Sequence, residues 1–182
     1  IREEKGIDTS VFFDEDGKAY LYFVRFTNGN VIWCAELKDN LKEIKEETLT
    51  QCIEAVEPWE MVFGKVAEGP SILKRDGLYY LLYSANDFRS QDYAVGYATS
   101  DSPFGPWKKN SKNPLLHRVD ELVGTGHGAP FADKDGNLRY IFHAHKSQTE
   151  VNQRNSYIVD MSLSGKDQVS IGGGLIRPAV VK

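Results

Sequence analysis

The chain has 182 residues, 41% of them hydrophobic and 12% aromatic, with a formal net charge of −4. Those values fit one folded domain with a real core and exclude a disordered segment. The acidic balance argues against a nucleic-acid partner, no apolar run approaches the ~20 residues of a membrane span, and no phosphate-binding or dinucleotide fingerprint occurs.

Asp8 to Phe13 reads as a short strand. Glu15-Asp16-Gly17-Lys18 follows as a hairpin turn whose Asp-Gly pair favours the primed types. Ala19 to Val24 is an aromatic and branched strand, and Asn28-Gly29-Asn30 turns the chain into a third strand, Val31 to Leu37. The charged stretch Lys38 to Glu47 offers only Leu41 and Ile44 as apolar positions, too few for an amphipathic helix. It reads as a solvated loop leading to a fourth strand near Thr48 to Ile53.

The pattern then repeats. Ser71 to Tyr83 copies strand, Asp-Gly turn and aromatic strand; Tyr93 to Thr99 is the next strand, and Ser102-Pro103-Phe104-Gly105-Pro106-Trp107 turns into a fourth. A third copy runs from Ala129 through Asp135-Gly136 to Phe142, with later strands at Ser156 to Met161 and Gln168 to Ile171. The Asp-Gly turns recur about 60 residues apart, a period that suits four-stranded propeller blades better than helical solenoids. The expected fold is therefore an all-β propeller, with repeats at about 7–58, 66–115 and 124–172. Leu175 to Val181 reads as the opening strand of one more blade, within 175–182. Three blades and a strand do not close a ring, so the chain reads as part of a domain whose open flanks meet a missing blade or another copy.

The first strand of a blade lines the central channel, so unusual polar residues at the repeat starts converge. Here they are Asp8 in Gly6-Ile7-Asp8-Thr9-Ser10, Glu68 in Ala67-Glu68-Gly69-Pro70, and His127 in Gly124-Thr125-Gly126-His127-Gly128. Pro cannot donate to a central ladder and Gly admits close approach, so Glu68 is expected to project from a strand end. Two carboxylates and an imidazole on one axis push each other's pKa values apart, which is how an acid is separated from its partner. A network of polar residues joining neighbouring blades is the plainer reading.

These three sites and their contexts resemble family 43 glycoside hydrolases, five-bladed propellers that cut arabinosyl and xylosyl linkages. The resemblance rests on Ile7 to Leu21, Glu68-Gly69-Pro70 with Tyr79-Tyr80-Leu81, Tyr93 to Ala98 with Ser102 to Trp107, and Gly124 to His127 with Tyr140 to His145. It implies an inverting acid/base glycosidase acting on oligo- or polysaccharides of plant origin. Glu68 matches the general acid and Asp8 the aspartate that orients it and tunes its pKa. His127 matches the histidine beside a channel ion, calcium, or a water cluster. Arg154 in Gln153-Arg154-Asn155 falls near a substrate-contacting arginine, with a surface salt bridge as the alternative.

The family's general base is an aspartate on the first strand of the first blade, and no such blade precedes Ile1. Asp14, Asp16, Asp76, Asp133 and Asp135 lie at turns away from the channel. The chain is thus expected to carry the acid and its modulator without the base. A non-catalytic carbohydrate-binding propeller, or a relative handling other glycosides, is the competing reading. His143 and His145 share a strand face but carry no zinc-like third ligand. Core packing suits Trp33 and Trp107, whereas Trp59, just before the acid strand, is a candidate for the pocket rim. Cys34 and Cys52 read as free thiols.

Overall fold

The structure is a computed structural model that describes residues 4–178. Twelve strands form three four-stranded antiparallel sheets, each in simple sequence order. The first holds β1 (Gly6–Phe13), β2 (Ala19–Arg25), β3 (Val31–Glu36) and β4 (Thr50–Glu54). The second holds β5 (Ala67–Arg75), β6 (Leu78–Ala85), β7 (Ala94–Ser100) and the two-residue β8 (Lys108–Lys109). The third holds β9 (Gly126–Ala132), β10 (Leu138–Ala144), β11 (Asn155–Leu163) and β12 (Val169–Ile176). The opening strands β1, β5 and β9 touch in succession, which makes the sheets three consecutive blades around one axis.

Two hydrophobic layers glue the blades face to face. Tyr22, Ile32, Cys34 and Ile53 of the first sheet meet Leu81 and Tyr83 of the second. On the other side of the same β6 strand, Tyr80 and Leu82 meet Tyr140, Phe142 and Val159 of the third. Successive side chains of a strand point to opposite faces, so a blade covered on both sides must be apolar at every position. This accounts for Leu78-Tyr79-Tyr80-Leu81-Leu82-Tyr83, and β6 is buried along its whole length. The outer sheets each have one uncovered face, where Val11 and Phe13 at one end and Phe131 and Ile141 at the other are exposed.

Several local expectations are corrected. The primed turn occurs only at Asp76-Gly77, where both residues have positive φ and Arg75 pairs with Leu78. At 14–18 the loop is longer, with only Gly17 at positive φ and the Asp14 amide donating to the Lys18 carbonyl at 2.9 Å. Leu175 and Ile176 do not open a new blade. They finish β12, with Ile176 opposite Ile158, because a bulge across the glycine run lets that strand bend and continue. Arg177 and Pro178 follow β12 without strand structure, and residues 179–182 of that proposed strand lie outside the described residues. The 38–47 stretch is a loop as expected, except that its last two residues open a short 3₁₀ turn at Glu46–Thr48.

Candidate active site

Each opening strand breaks register at the same place. In β1 the break falls between Ile7 and Ser10, in β5 between Glu68 and Ser71, and in β9 between the pairs made by Gly126 and Ala129. The first residue inside each break has left-handed backbone: Asp8 at φ 55°, Gly69 at 57° and His127 at 46°. Such bulges re-aim side chains near functional sites, and Asp and His tolerate positive φ better than branched residues do. Asp8 and His127 are therefore equivalent positions, whereas Glu68 stands one residue earlier. Gly69 is itself constrained, since a Cβ there would lie 3.2 Å from the His127 ring.

The three side chains meet. One ligand atom from each of Asp8, Glu68 and His127 lies within 4.8 Å of the other two. Asp8 Oδ2 accepts the Gly69 amide at 3.1 Å and sits 3.8 Å from His127 Nδ1. The His127 amide donates to the buried Ser84 Oγ at 2.7 Å, which ties the β9 bulge to β6.

Glu68 is near the start of β5, as its Gly-Pro context suggested, but it is buried rather than projecting. Tyr93 Oη donates to its Oε1 at 2.8 Å and Asn30 Nδ2 to its Oε2 at 2.9 Å. Burial pushes the Glu68 carboxyl above the usual carboxylate range; the Asp8 charge adds to this, and the Tyr93 and Asn30 hydrogen bonds and His127 only partly offset it. Each carboxylate oxygen keeps a further lone pair, so a proton can be held without breaking either bond. A buried carboxyl whose pKa is raised can act as an acid toward an oxygen within hydrogen-bond reach.

Neither Asn30 nor Tyr93 stood out in the sequence. Asn30 belongs to a turn of the first blade and reaches Glu68 because its backbone bonds to Lys65 and Ala67 stitch that turn to β5. Tyr93 lies just before β7 and covers Gly126, where a Cβ would come within 2.2 Å of its ring. The Gly124-Thr125-Gly126 signal was therefore partly a record of an aromatic neighbour.

Beneath the cluster, a cavity of about 390 Å³ is lined by all three opening strands together with Ile141, His143 and Ser156. Asp8 is the only carboxylate among the described residues that lines it. His143 stacks on Tyr93 (ring centroids 5.6 Å apart, 9° between planes) and faces His127 at 6.1 Å. Burial, with the Arg154 and His127 charges and His145 adding to it, lowers the His143 pKa to about 3. Arg154 Nη1 donates to His143 Nε2 at 2.7 Å, so this arginine adjoins the site rather than making a surface carboxylate pair. His145 separates from His143, since its Nε2 bonds the Phe88 carbonyl at 2.8 Å.

Trp59 is not at the cavity rim. A capped helical turn at Pro58–Glu60 swings its ring inward, where it packs 6.0 Å from Tyr83 and fills the space above Gly96. Trp107 packs edge-on to Tyr22 in the same layer. Asp14 lies at the far end of β1, where Lys74 Nζ donates to it at 2.5 Å and Tyr79 donates as well. Burial opposes ionisation there, yet those partners hold its carboxyl below the ordinary range. Cys34 and Cys52 are free.

Comparison with known proteins places this chain in a family. The model of "Glycosyl hydrolases family 43" matches residues 1–166. A β-D-galactofuranosidase of Aspergillus niger is 30% identical over 139 residues, covering 76% of this chain and 37% of that protein. A xylosidase/arabinosidase of Butyrivibrio fibrisolvens is 30% identical over 149 residues, covering 78% and 29%. Among solved structures, an endo-1,4-β-xylanase from Bacteroides thetaiotaomicron superposes with a TM-score of 0.97 at 59% identity, covering 99% of this chain and 62% of that one. A thermostable family-43 glycoside hydrolase superposes at 0.88 and 31% identity, again covering 62% of its length. The chain thus spans less than two thirds of each of these relatives, and its three blades are part of a five-bladed propeller. It belongs to glycosyl hydrolase family 43.

Proposed function

We propose that this chain is the acid-bearing part of a propeller glycosidase that hydrolyses arabinosyl or xylosyl linkages of plant polysaccharides with inversion. The observation that carries the reading is Glu68, a buried carboxyl with a raised pKa, held by two hydrogen bonds beside Asp8 on the channel axis. Glu68 gives its proton to the glycosidic oxygen as the bond to the sugar breaks, and a water activated by a base outside this chain attacks the opposite face. Asp8 orients Glu68 and raises its pKa, and Arg154 contacts the sugar. An inverting pair needs carboxyls roughly 6.5–9.5 Å apart to admit that water. Asp8 and Glu68 approach within 4.8 Å, which suits a modulator rather than the base.

A cation at His127 belongs to the same reading. Each Glu68 oxygen and Asp8 Oδ2 already accepts one hydrogen bond, so the least engaged ligand atoms are Asp8 Oδ1 and the His127 ring nitrogens. Calcium takes six to eight oxygen ligands, so these residues fit it only as an ion held largely through water. Held by Asp8 and His127, it would supply positive charge to the site. Chelation and calcium add-back on a protein carrying the whole propeller test this; unchanged activity and melting temperature would leave His127 a structural residue.

Glu68→Gln in that protein tests the acid. Activity on substrates with poor leaving groups should collapse while activated aryl glycosides are spared; equal loss on both would remove Glu68 from the role. Product stereochemistry by NMR adds a second check, because retention would make Asp8 a nucleophile. A carbohydrate-binding propeller remains the second reading, favoured by the single carboxylate lining the cavity. Absence of hydrolysis by the whole propeller, with sugar binding intact, would select it.

A further inference from the structure

We propose that His143, which lines the cavity, is a positioning residue for Arg154, its Nε2 lone pair holding the guanidinium beside that cavity. The inference rests on the reading above, that Arg154 meets the sugar. Arg154 is exposed and precedes β11 by one residue, beyond the end of the ladder in which His143 pairs with Ser156. Backbone register therefore leaves it unrestrained. A long side chain in that position has many rotamers, and ordering it on substrate binding costs free energy. Two contacts order it in advance: the 2.7 Å bond to His143 Nε2, and the face of Phe88 with Cζ 4.7 Å from the ring centre.

His143 is built for that task. Its ring is held flat against Tyr93, whose hydroxyl holds Glu68, so the arginine, the imidazole and the acid form one connected chain. In the ladder it stands opposite Gly126, the residue before the His127 bulge. Guanidinium nitrogens have only protons to give, so the imidazole must accept at Nε2 and carry its own proton at Nδ1. That Nδ1 is buried with no partner among the described residues. A buried polar atom without a partner calls for a reason. The reason here is the lone pair on the other nitrogen, which no apolar side chain stacked on Tyr93 could supply.

The test uses the protein carrying the whole propeller and the aryl glycoside it hydrolyses fastest. His143→Phe keeps the stack and removes the acceptor; KM should rise about tenfold or more with kcat little changed, the size expected for losing a hydrogen bond to a charged group. Arg154→Ala should move the same parameter, and the double variant should be no worse than Arg154→Ala alone. His143→Gln, whose amide oxygen can reach the Nε2 position, should keep most of the affinity, and His143→Asn, which falls short of it, should not. If Arg154→Ala leaves KM unchanged, the substrate-contact reading fails. If Arg154→Ala raises KM while His143→Phe does not, or the two effects multiply, the positioning role is overturned with that reading intact. Should His143→Phe not fold, the Gln and Asn variants decide: equal KM values for those two would also overturn it.

Discussion

Tyr93 donates its hydroxyl proton to Glu68 Oε1 at 2.8 Å from a position nearly sealed by the third blade. That bond favours the carboxylate, and so works against the burial that raises the Glu68 pKa. Tyr93→Phe should raise the Glu68 pKa further. An acid is active while protonated, so the alkaline limb of kcat/KM should move to higher pH. A limb that stays in place or moves to lower pH would mean that Glu68 does not set it.

Stability carries the same signature without any assay of activity. The raised folded-state pKa means the native protein binds the Glu68 proton more tightly than the unfolded chain does. Its penalty is absent below the unfolded value near 4.3 and grows as pH rises through the folded one. Glu68→Gln should therefore melt higher than wild type at pH 8, with the gap closing near pH 4. Each kcal/mol corresponds to about 2–4 °C for a chain of this size. A gap that widens in acid would contradict the direction of the shift.

Glu60 is expected to be a main structural carboxylate. It is fully buried and accepts hydrogen bonds from the Val56 and Glu57 amides at 2.8 and 2.9 Å and from Tyr83 and Lys109, each at 2.6 Å. Glu60→Ala would strand the Val56 and Glu57 amides and the Tyr83 hydroxyl and leave Lys109 only the Glu54 carbonyl, and breaking a buried ion pair costs about 3–5 kcal/mol. Denaturant unfolding should register a loss of that order. A loss under about 1 kcal/mol would show that water replaces the carboxylate there.

The isolated 182-residue chain should self-associate. Val11 and Phe13 are 48% and 63% exposed on one outer face, and Ile176 is 50% exposed at the other. Apolar faces of this kind recruit partners. Phe23 of β2 is buried instead, lining a hollow together with Leu21 and with Ile44 of the 38–47 loop. Light scattering should report species above the monomer, reduced by Val11→Ser with Phe13→Ser. The same chain should not cleave aryl xylosides or arabinosides. A monomer at high concentration that cleaved them at an ordinary enzymatic rate would make Asp8 the base.

The period of about 60 residues, the Asp-Gly turns and the apolar-throughout run of β6 were legible in the amino-acid order, because strand alternation and turn chemistry are local properties. So was the convergence of Asp8, Glu68 and His127, since residues at equivalent places in blades share an axis. The one-residue offset of Glu68 was not, because it depends on which residue of each bulge takes positive φ. Trp59 was misplaced for a related reason: the direction of its ring follows from a three-residue helical turn and from the vacancy over Gly96. Asn30, Tyr93 and the partnership of His143 with Arg154 lie 38, 25 and 11 residues from the groups they hold. No spacing rule links such pairs. Tertiary structure alone decided them, because a buried hydrogen bond is satisfied by whatever donor the packing of another strand or sheet delivers to it.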